Sequence, residues 1–502
     1  MAWSKEVGKI LMEKQYQFLK KNGIFYTGEK LAYQMIKLLE INYKKTFSLI
    51  EPAVGEGHIL SIIVEEYFRN NMEKSSKEKK KFLENNITGF DIRPDALEVC
   101  RKKLDAISKR YISENINWDL KNHNILNKNE VEKLGKYDYV ISNPPYVSRH
   151  NMDIKTIKSL KEQSEFCLKF NFDFYYYFIE MGIKLWNKVG KMVYITPNSY
   201  TKARSAEVML KNLIDNNYIE KIIDFKDKML FEDATTYSAI TLFSKVNDEL
   251  KVEDSSGNTV IRVSYSDLIN KYSYKIYNHE FLSPTLNNYI NLGDISDIRN
   301  GLATLQDKVF IISHSEIIRN TEMHIVFKKN SKEYKVEKTL VKKVIRASRP
   351  QENKYVIFPY YRLEQSKGKG FAKYADFKEK FPEAYEYLIN ELSPEYQKKY
   401  GIYLGRTQGF NGYENKKIII PKVAYLKNGA FKLVEEGFLL SGLSIVFKNN
   451  IRKVKLKRIC DYLNSEVVSN YLEISSKDYS AGYKSISSAE LKLIKIPNDL
   501  IQ

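Results

Sequence analysis

Short apolar runs alternate with helical periodicity through the first half of the chain. Phe47-Ser48-Leu49-Ile50 is apolar and stops at the polar segment Glu51-Pro52-Ala53-Val54-Gly55-Glu56-Gly57. Helical spacing follows from His58 to about Phe68, with Ile59, Ile62, Ile63 and Tyr67 on one face. Ile87 to Asp91 predicts a second strand, with a helix starting near Pro94. Tyr137 to Ser142 predicts a third, running into Asn143-Pro144-Pro145-Tyr146, and Lys191 to Ile195 a fourth, stopped by Pro197. Strands alternating with helices imply an α/β fold with a doubly wound, mainly parallel sheet. Ligands of such sheets bind beyond the carboxyl ends of the strands, where the polar, Gly- and Pro-bearing segments fall.

The regularity ends after a last strand-like run, Ser238 to Phe243, and polar residues cluster from Asn247 to Asn258. A domain boundary near residue 245 is therefore expected, giving domains 1–245 and 246–502. Beyond it come short β-rich runs such as Val309 to Ile312 and Lys417 to Ile420, then a helical stretch at about Lys455 to Leu472, which together read as a mixed α+β domain. Lys74 to Lys81 reads as a solvated helix or loop.

Composition narrows the class. The 502 residues are 43% hydrophobic and 28% charged, enough apolar material for folded cores. No apolar run approaches the roughly 18 residues of a membrane span. The N-terminus lacks a signal stretch, so a cytoplasmic protein is expected. Cys100, Cys167 and Cys460 are too scattered for a disulfide framework or a cysteine zinc site, and the six histidines lack metal-ligand spacing, so no metal is expected. The formal net charge is +19, concentrated in the second half, which suits a polyanion such as nucleic acid.

The strand-end segments carry the candidate chemistry. Gly55 and Gly57 let a loop backbone approach a ligand closely. Asp91, ending the next strand, can accept from both hydroxyls of a ribose; its competing role is to cap the helix at Arg93-Pro94. Asn143 to Tyr146 suits transfer to an exocyclic amine such as N6 of adenine. The Asn143 amide oxygen and the Pro144 carbonyl would accept from its two N–H groups, the prolines would hold the loop rigid, and Tyr146 would stack on the base.

On these residues the chain resembles the γ-class, TaqI-like N6-adenine DNA methyltransferases of restriction-modification systems, most closely over residues 20–245. Their fold is a seven-stranded class I methyltransferase sheet, with a C-terminal target-recognition domain. In the resemblance, Gly23 to Thr27 is the N-terminal cofactor motif, with Phe25, Tyr26 and Thr27 at the cofactor. Glu51-Pro52-Ala53 lies near the methionine moiety of S-adenosylmethionine, Asp91 at the ribose and Ile92 beside the adenine ring. Asn143 to Tyr146 is the catalytic tetrapeptide. Phe172 to Tyr175 is the helical motif behind it, Lys191 to Asn198 the following strand, and Phe231 the aromatic opposite Tyr146. The family's usual Asp after the third strand is replaced by Asn124, beside Ile125; Asp119 is the lesser substitute. Ile298 to Gly301 with Thr304, and Tyr479 to Ile486, resemble parts of the recognition domain. Arg346, Arg349 and Arg406 are candidates for guanine, and Gln408 and Asn411 for adenine. The implied partner is double-stranded DNA, bound by a monomer, with a restriction endonuclease either encoded separately or absent. Competing readings are a methyltransferase acting on RNA or a protein glutamine, and a DNA-binding subunit with an inactive core. A C5-cytosine enzyme is excluded, since no cysteine follows proline.

Overall fold

The computed structural model describes residues 23, 27–169, 171–226, 228, 230, 237–245, 247–277, 288–363, 370–410, 413–449, 451–479 and 482–501. The chain divides into two compact units, Met1–Tyr277 and Asn278–Gln502.

The first unit is built on a mixed sheet. Its strands are β1 (Leu49–Pro52), β2 (Ile87–Asp91), β3 (Asp119–Asn122), β4 (Tyr139–Ser142), β5 (Met192–Pro197), β6 (Ile219–Asp224), β7 (Ser238–Phe243), β8 (Glu249–Asp254) and β9 (Thr259–Ser264). Their order is β3-β2-β1-β4-β5-β7-β6-β8-β9. β7 runs antiparallel to β5 and β6, and β9 antiparallel to β8; the other pairings are parallel. The sheet thus has nine strands among the described residues, where seven were expected. The last two lie beyond the expected boundary at 245 because the polar cluster there holds β8 itself and the turn from it to β9. Asp254 Oδ1 accepts from the Ser256 and Asn258 backbone N–H groups, at 2.9 and 3.0 Å. The first unit therefore runs to Tyr277.

The helices are placed by apolar spacing. In α1 (Glu29–Leu39), Ala32, Met35, Ile36 and Leu39 are buried. In α2 (His58–Asn70), the buried face is Ile59, Leu60, Ile63, Val64, Tyr67 and Phe68, with Ile62 only half-buried. The lysine run opens α3 (Ser76–Asn86), which starts in a capping box between Ser75 and Glu78. α4 (Pro94–Ser108) carries proline at its first position. α5 (Ile154–Gln163) follows the tetrapeptide loop, and α6 (Phe174–Leu185) is buried almost all round, including Tyr175, Tyr176 and Tyr177.

The second unit mixes helices with small sheets. One four-stranded sheet pairs Ser296–Asn300, Leu443–Phe447, Lys417–Ile420 and Lys432–Val434; another pairs Ile311–Ser313, Arg349–Ile357, Val341–Arg346 and Phe438–Ser441. The expected helical stretch near the C-terminus is two helices, Lys453–Leu463 and Glu466–Ser475. Among the described residues, no helix is long and apolar enough to cross a membrane.

Candidate active site

A pocket of about 410 Å³ opens at the carboxyl ends of β1, β2 and β4. Thr27, Glu51, Ala53, Gly55, Asp91, Ile92, Asn124, Ile125, Asn143 and Pro145 all line it. Elements separated by more than a hundred residues therefore meet at one cavity, as the strand-end rule requires.

β1 delivers the loop 51–57. Ala53, Gly55 and Gly57 all have positive φ, at 57°, 53° and 73°. A Cβ on Gly57 would collide with the Cys100 sulfur, so residue 57 holds α2 tightly against α4. Gly57 and Pro52 shape the loop without lining the pocket. The Pro52 carbonyl accepts from the Ser142 hydroxyl, which ties the end of β1 to the end of β4.

Asp91 is buried and fastens this loop to β2. Its Oδ2 accepts from the Gly55 N–H and its Oδ1 from the Arg93 N–H, both at 2.9 Å, with Arg93 Nε 3.5 Å from Oδ1. Asp91 therefore holds the turn before α4 without capping the helix, whose N-cap is Arg93, and its carboxylate keeps acceptor sites beyond these two bonds. Ile92, beside it, is 60% exposed at the pocket wall. Asn124 lines the pocket, and its Oδ1 accepts from the Leu126 N–H at 3.0 Å, which fixes the amide's direction. Asp119 does not line it: it is occupied by Thr88 Oγ1 at 2.7 Å and Lys121 Nζ at 2.6 Å.

Glu51 is the most informative group. It is 2% exposed, and its Oε2 has no hydrogen-bond partner. Burial holds its carboxyl well above the usual range; Asp91 pushes the same way, opposed by a hydrogen bond from the Leu60 backbone. A carboxyl so placed is held towards its neutral form by burial, and a cation in the cavity, such as the ammonium of a methionine moiety, would favour its ionised form. The residues present fit S-adenosylmethionine: Glu51 for the amino group, Asp91 for the ribose, and Ile92, Ile125 and Asn124 for the adenine.

β4 delivers the tetrapeptide. Asn143 Nδ2 donates to Thr27 Oγ1 at 3.0 Å, so the donor end of the amide faces the buried threonine. Asn143 and Pro145 line the pocket; Pro144 is buried beneath. Tyr146 is half-buried and does not line the pocket. Its N–H donates to Gly23 O at 2.8 Å, and burial pushes its hydroxyl pKa up against a smaller pull from Ser238, next to Tyr237. Phe25, Tyr26 and Phe231 lie outside the described residues. From α6, Phe174 and Phe178 line the pocket, their rings 5.2 Å apart.

Sequence reasoning missed part of the wall. Asn151, Met152, Asp153 and Thr156, from the start of α5, close one side, and His58, Arg93 and His123 stand on others. Burial and Lys103, 3.2 Å from its Nε2, lower the pKa of His58. A capping signal did exist for the α5 wall: Asp153 caps that helix through the Thr156 N–H at 2.8 Å.

In the second unit, Arg349 is ion-paired to Glu352 at 3.2 Å, and Gln408 donates to Gly301 O at 2.9 Å. Arg406 is exposed, Arg346 half-buried, and Asn411 outside the described residues. Thr304 is fully buried, bonded to Asp307, and Arg299 pairs with Asp297 at 2.8 Å.

Residues 85–231, which span β2 to the segment after β6, match the family model described as Eco57I restriction-modification methylase. The resemblance to restriction-modification methyltransferases is borne out. The chain is 26% identical over 284 residues to the Escherichia coli Type II restriction enzyme and methyltransferase RM.Eco57I, covering 50% of this chain but only 28% of that one. It is 23% identical over 491 residues to the Haemophilus influenzae Type II methyltransferase M.HindII, covering 89% of this chain and 84% of that one. Among solved structures, the Type IIL restriction-modification enzyme MmeI in complex with DNA shares the fold, with a TM-score of 0.56 and 11% identity over 96% of this chain and 66% of that one.

Proposed function

We infer that the protein is a site-specific DNA methyltransferase, which uses S-adenosylmethionine to methylate N6 of an adenine turned out of double-stranded DNA within a restriction-modification system. The observation that carries this is the shared pocket: the cofactor-type residues Glu51, Asp91 and Asn124 and the tetrapeptide residues Asn143 and Pro145 line one cavity. The similarity to Type II methyltransferases supports DNA as the substrate.

S-adenosylmethionine, when bound, supplies a methyl group activated by its sulfonium. The chain supplies the rest. Glu51 neutralises the ammonium, and Asp91 orients the ribose. Asn143, held through its nitrogen by Thr27, presents its carbonyl oxygen to one amine N–H of the base; the Pro144 carbonyl takes the other. These acceptors strengthen as positive charge grows on the nitrogen, so they act more on the transition state than on the ground state. Tyr146 offers a face to the extruded base, with Phe231 or Tyr237 opposite. The unit 278–502 recognises the DNA sequence, and the restriction endonuclease of such a system is either a separate chain or absent.

Sequencing that detects N6-methyladenine in DNA from cells expressing the protein tests this reading. Methylated adenine at one recurring sequence is expected. Unmodified DNA beside methylated RNA or protein would transfer the reading to those substrates.

A further inference from the structure

The second unit contains a small antiparallel sheet of Val423–Ala424, Lys484–Ser485 and Lys477–Asp478, with Ala424, Lys484 and Asp478 in register. One step further along that register places Tyr425, Tyr483 and Tyr479 side by side. The Tyr479 N–H donates to Tyr483 O at 2.8 Å, and the Tyr425 and Tyr483 rings are 5.7 Å apart. Side chains alternate along a strand, so this row faces away from the Ala424, Lys484 and Asp478 row. Burial agrees. Lys484 is buried, paired with Asp478 and with Glu473 at 3.3 Å, whereas Tyr425, Tyr483 and Tyr479 are 37%, 43% and 51% exposed.

The surroundings are positive. Lys477, on the same strand face as Tyr479, and Lys427, in the short turn after Tyr425, are exposed, and neither is ion-paired among the described residues. The nearby carboxylates of Glu473 and Asp478 are already matched by Lys484. Aromatic faces amid unmatched lysines complement bases and phosphates together. The Tyr425 and Tyr483 ring planes are tilted 52° to each other, so bases laid on them are not stacked on one another. Sheet-borne aromatics in single-strand binders work this way, stacking two or three bases.

We propose that Tyr425, Tyr483 and Tyr479 form a stacking platform for unpaired bases of a DNA strand, with Lys427 and Lys477 against its phosphates. The choice of DNA rests on the methyltransferase reading, because turning out one base leaves its partner unpaired.

Fluorescence anisotropy with the full chain tests it, using a short duplex with a central unpaired bubble against the same duplex fully paired. The wild-type protein should prefer the bubble. The double change Tyr479→Ala/Tyr483→Ala should weaken bubble binding about tenfold or more and change paired-duplex binding by less than about twofold. Phenylalanine at both sites should retain the preference. Threonine at both, which keeps strand propensity, should lose it as alanine does. Unchanged bubble binding in the alanine or threonine variant, with wild-type circular dichroism, would overturn the platform, as would a tenfold preference for single-stranded RNA. Loss of the preference in a protein that methylates no DNA would keep the platform and remove the methyltransferase reading. DNA methylation with intact bubble binding in the variants would do the reverse.

Discussion

Gly23 and Tyr146 meet main chain to main chain. The Tyr146 N–H donates to Gly23 O at 2.8 Å, Gly23 has φ +62°, and a Cβ on it would strike the Tyr146 backbone. Gly23 is therefore a buttress for the tetrapeptide, while Thr27 lines the pocket. Gly23→Ala should displace the loop and lower kcat about 10- to 100-fold, the cost of small misplacement at a reacting centre. Affinity for S-adenosylhomocysteine should fall less, because Glu51 and Asp91 are untouched. Single-turnover kinetics beside calorimetry separates the two effects.

Asn143→Ala should reduce turnover by roughly 10²-fold or more, the scale of losing one preorganised contact to developing charge. Thr27→Val should give a smaller loss of the same kind, since it removes the acceptor that orients the Asn143 amide. Both belong in kcat, and a rapid-quench measurement of the methyl-transfer step checks this. Near-normal turnover in Asn143→Ala would remove it from the chemistry.

Glu51 links cofactor binding to pH. Its pKa is raised chiefly by burial, while an ammonium partner favours the ionised form. As pH falls below that raised pKa, binding must first expel a proton, so affinity should drop by up to about tenfold per pH unit. Calorimetry with S-adenosylhomocysteine in buffers of different ionisation enthalpy should show proton release. Glu51→Gln should abolish both effects. The stability sign is opposite: a raised folded-state pKa means stability is lost as pH rises through it. Glu51→Gln should therefore raise the Tm of the unliganded protein at neutral pH while weakening the ligand-induced rise.

Asp91→Ala should cost more than a ribose contact. Its carboxylate accepts from the Gly55 and Arg93 N–H groups, so its loss frees the loop 51–57. At about 1.5–3 kcal/mol per charged hydrogen bond, both Tm and cofactor affinity should fall. Denaturant unfolding beside calorimetry checks this; unchanged stability would mean the loop is held otherwise.

The first four strands with obvious apolar runs, the strand-end loops and the tetrapeptide were legible because each pairs a buried run with an abrupt polar or Pro/Gly stop. The strand Asp119–Asn122 was not, since it lies at the sheet edge with half-buried and exposed residues of mixed polarity. Ile219–Asp224 was missed because Glu220 and Lys221 interrupt its apolar run. Of the last two strands, Glu249–Asp254 is itself mostly polar and half-buried, so with the turn after it the stretch looked like a linker. At the site, Glu51 and Asn143 came from motif and position together. The wall formed by Asn151, Met152, Asp153 and Thr156 follows no strand-end pattern, because it comes from the start of a helix folded back over the pocket. The tyrosine row depends on a register between strands some sixty residues apart, which one-dimensional periodicity does not encode.

The most direct test is nucleoside mass spectrometry of DNA incubated with the purified protein and isotope-labelled S-adenosylmethionine. The account predicts labelled N6-methyladenine, which disappears with Asn143→Ala. Label in N4-methylcytosine, or in RNA or protein in place of DNA, would contradict it.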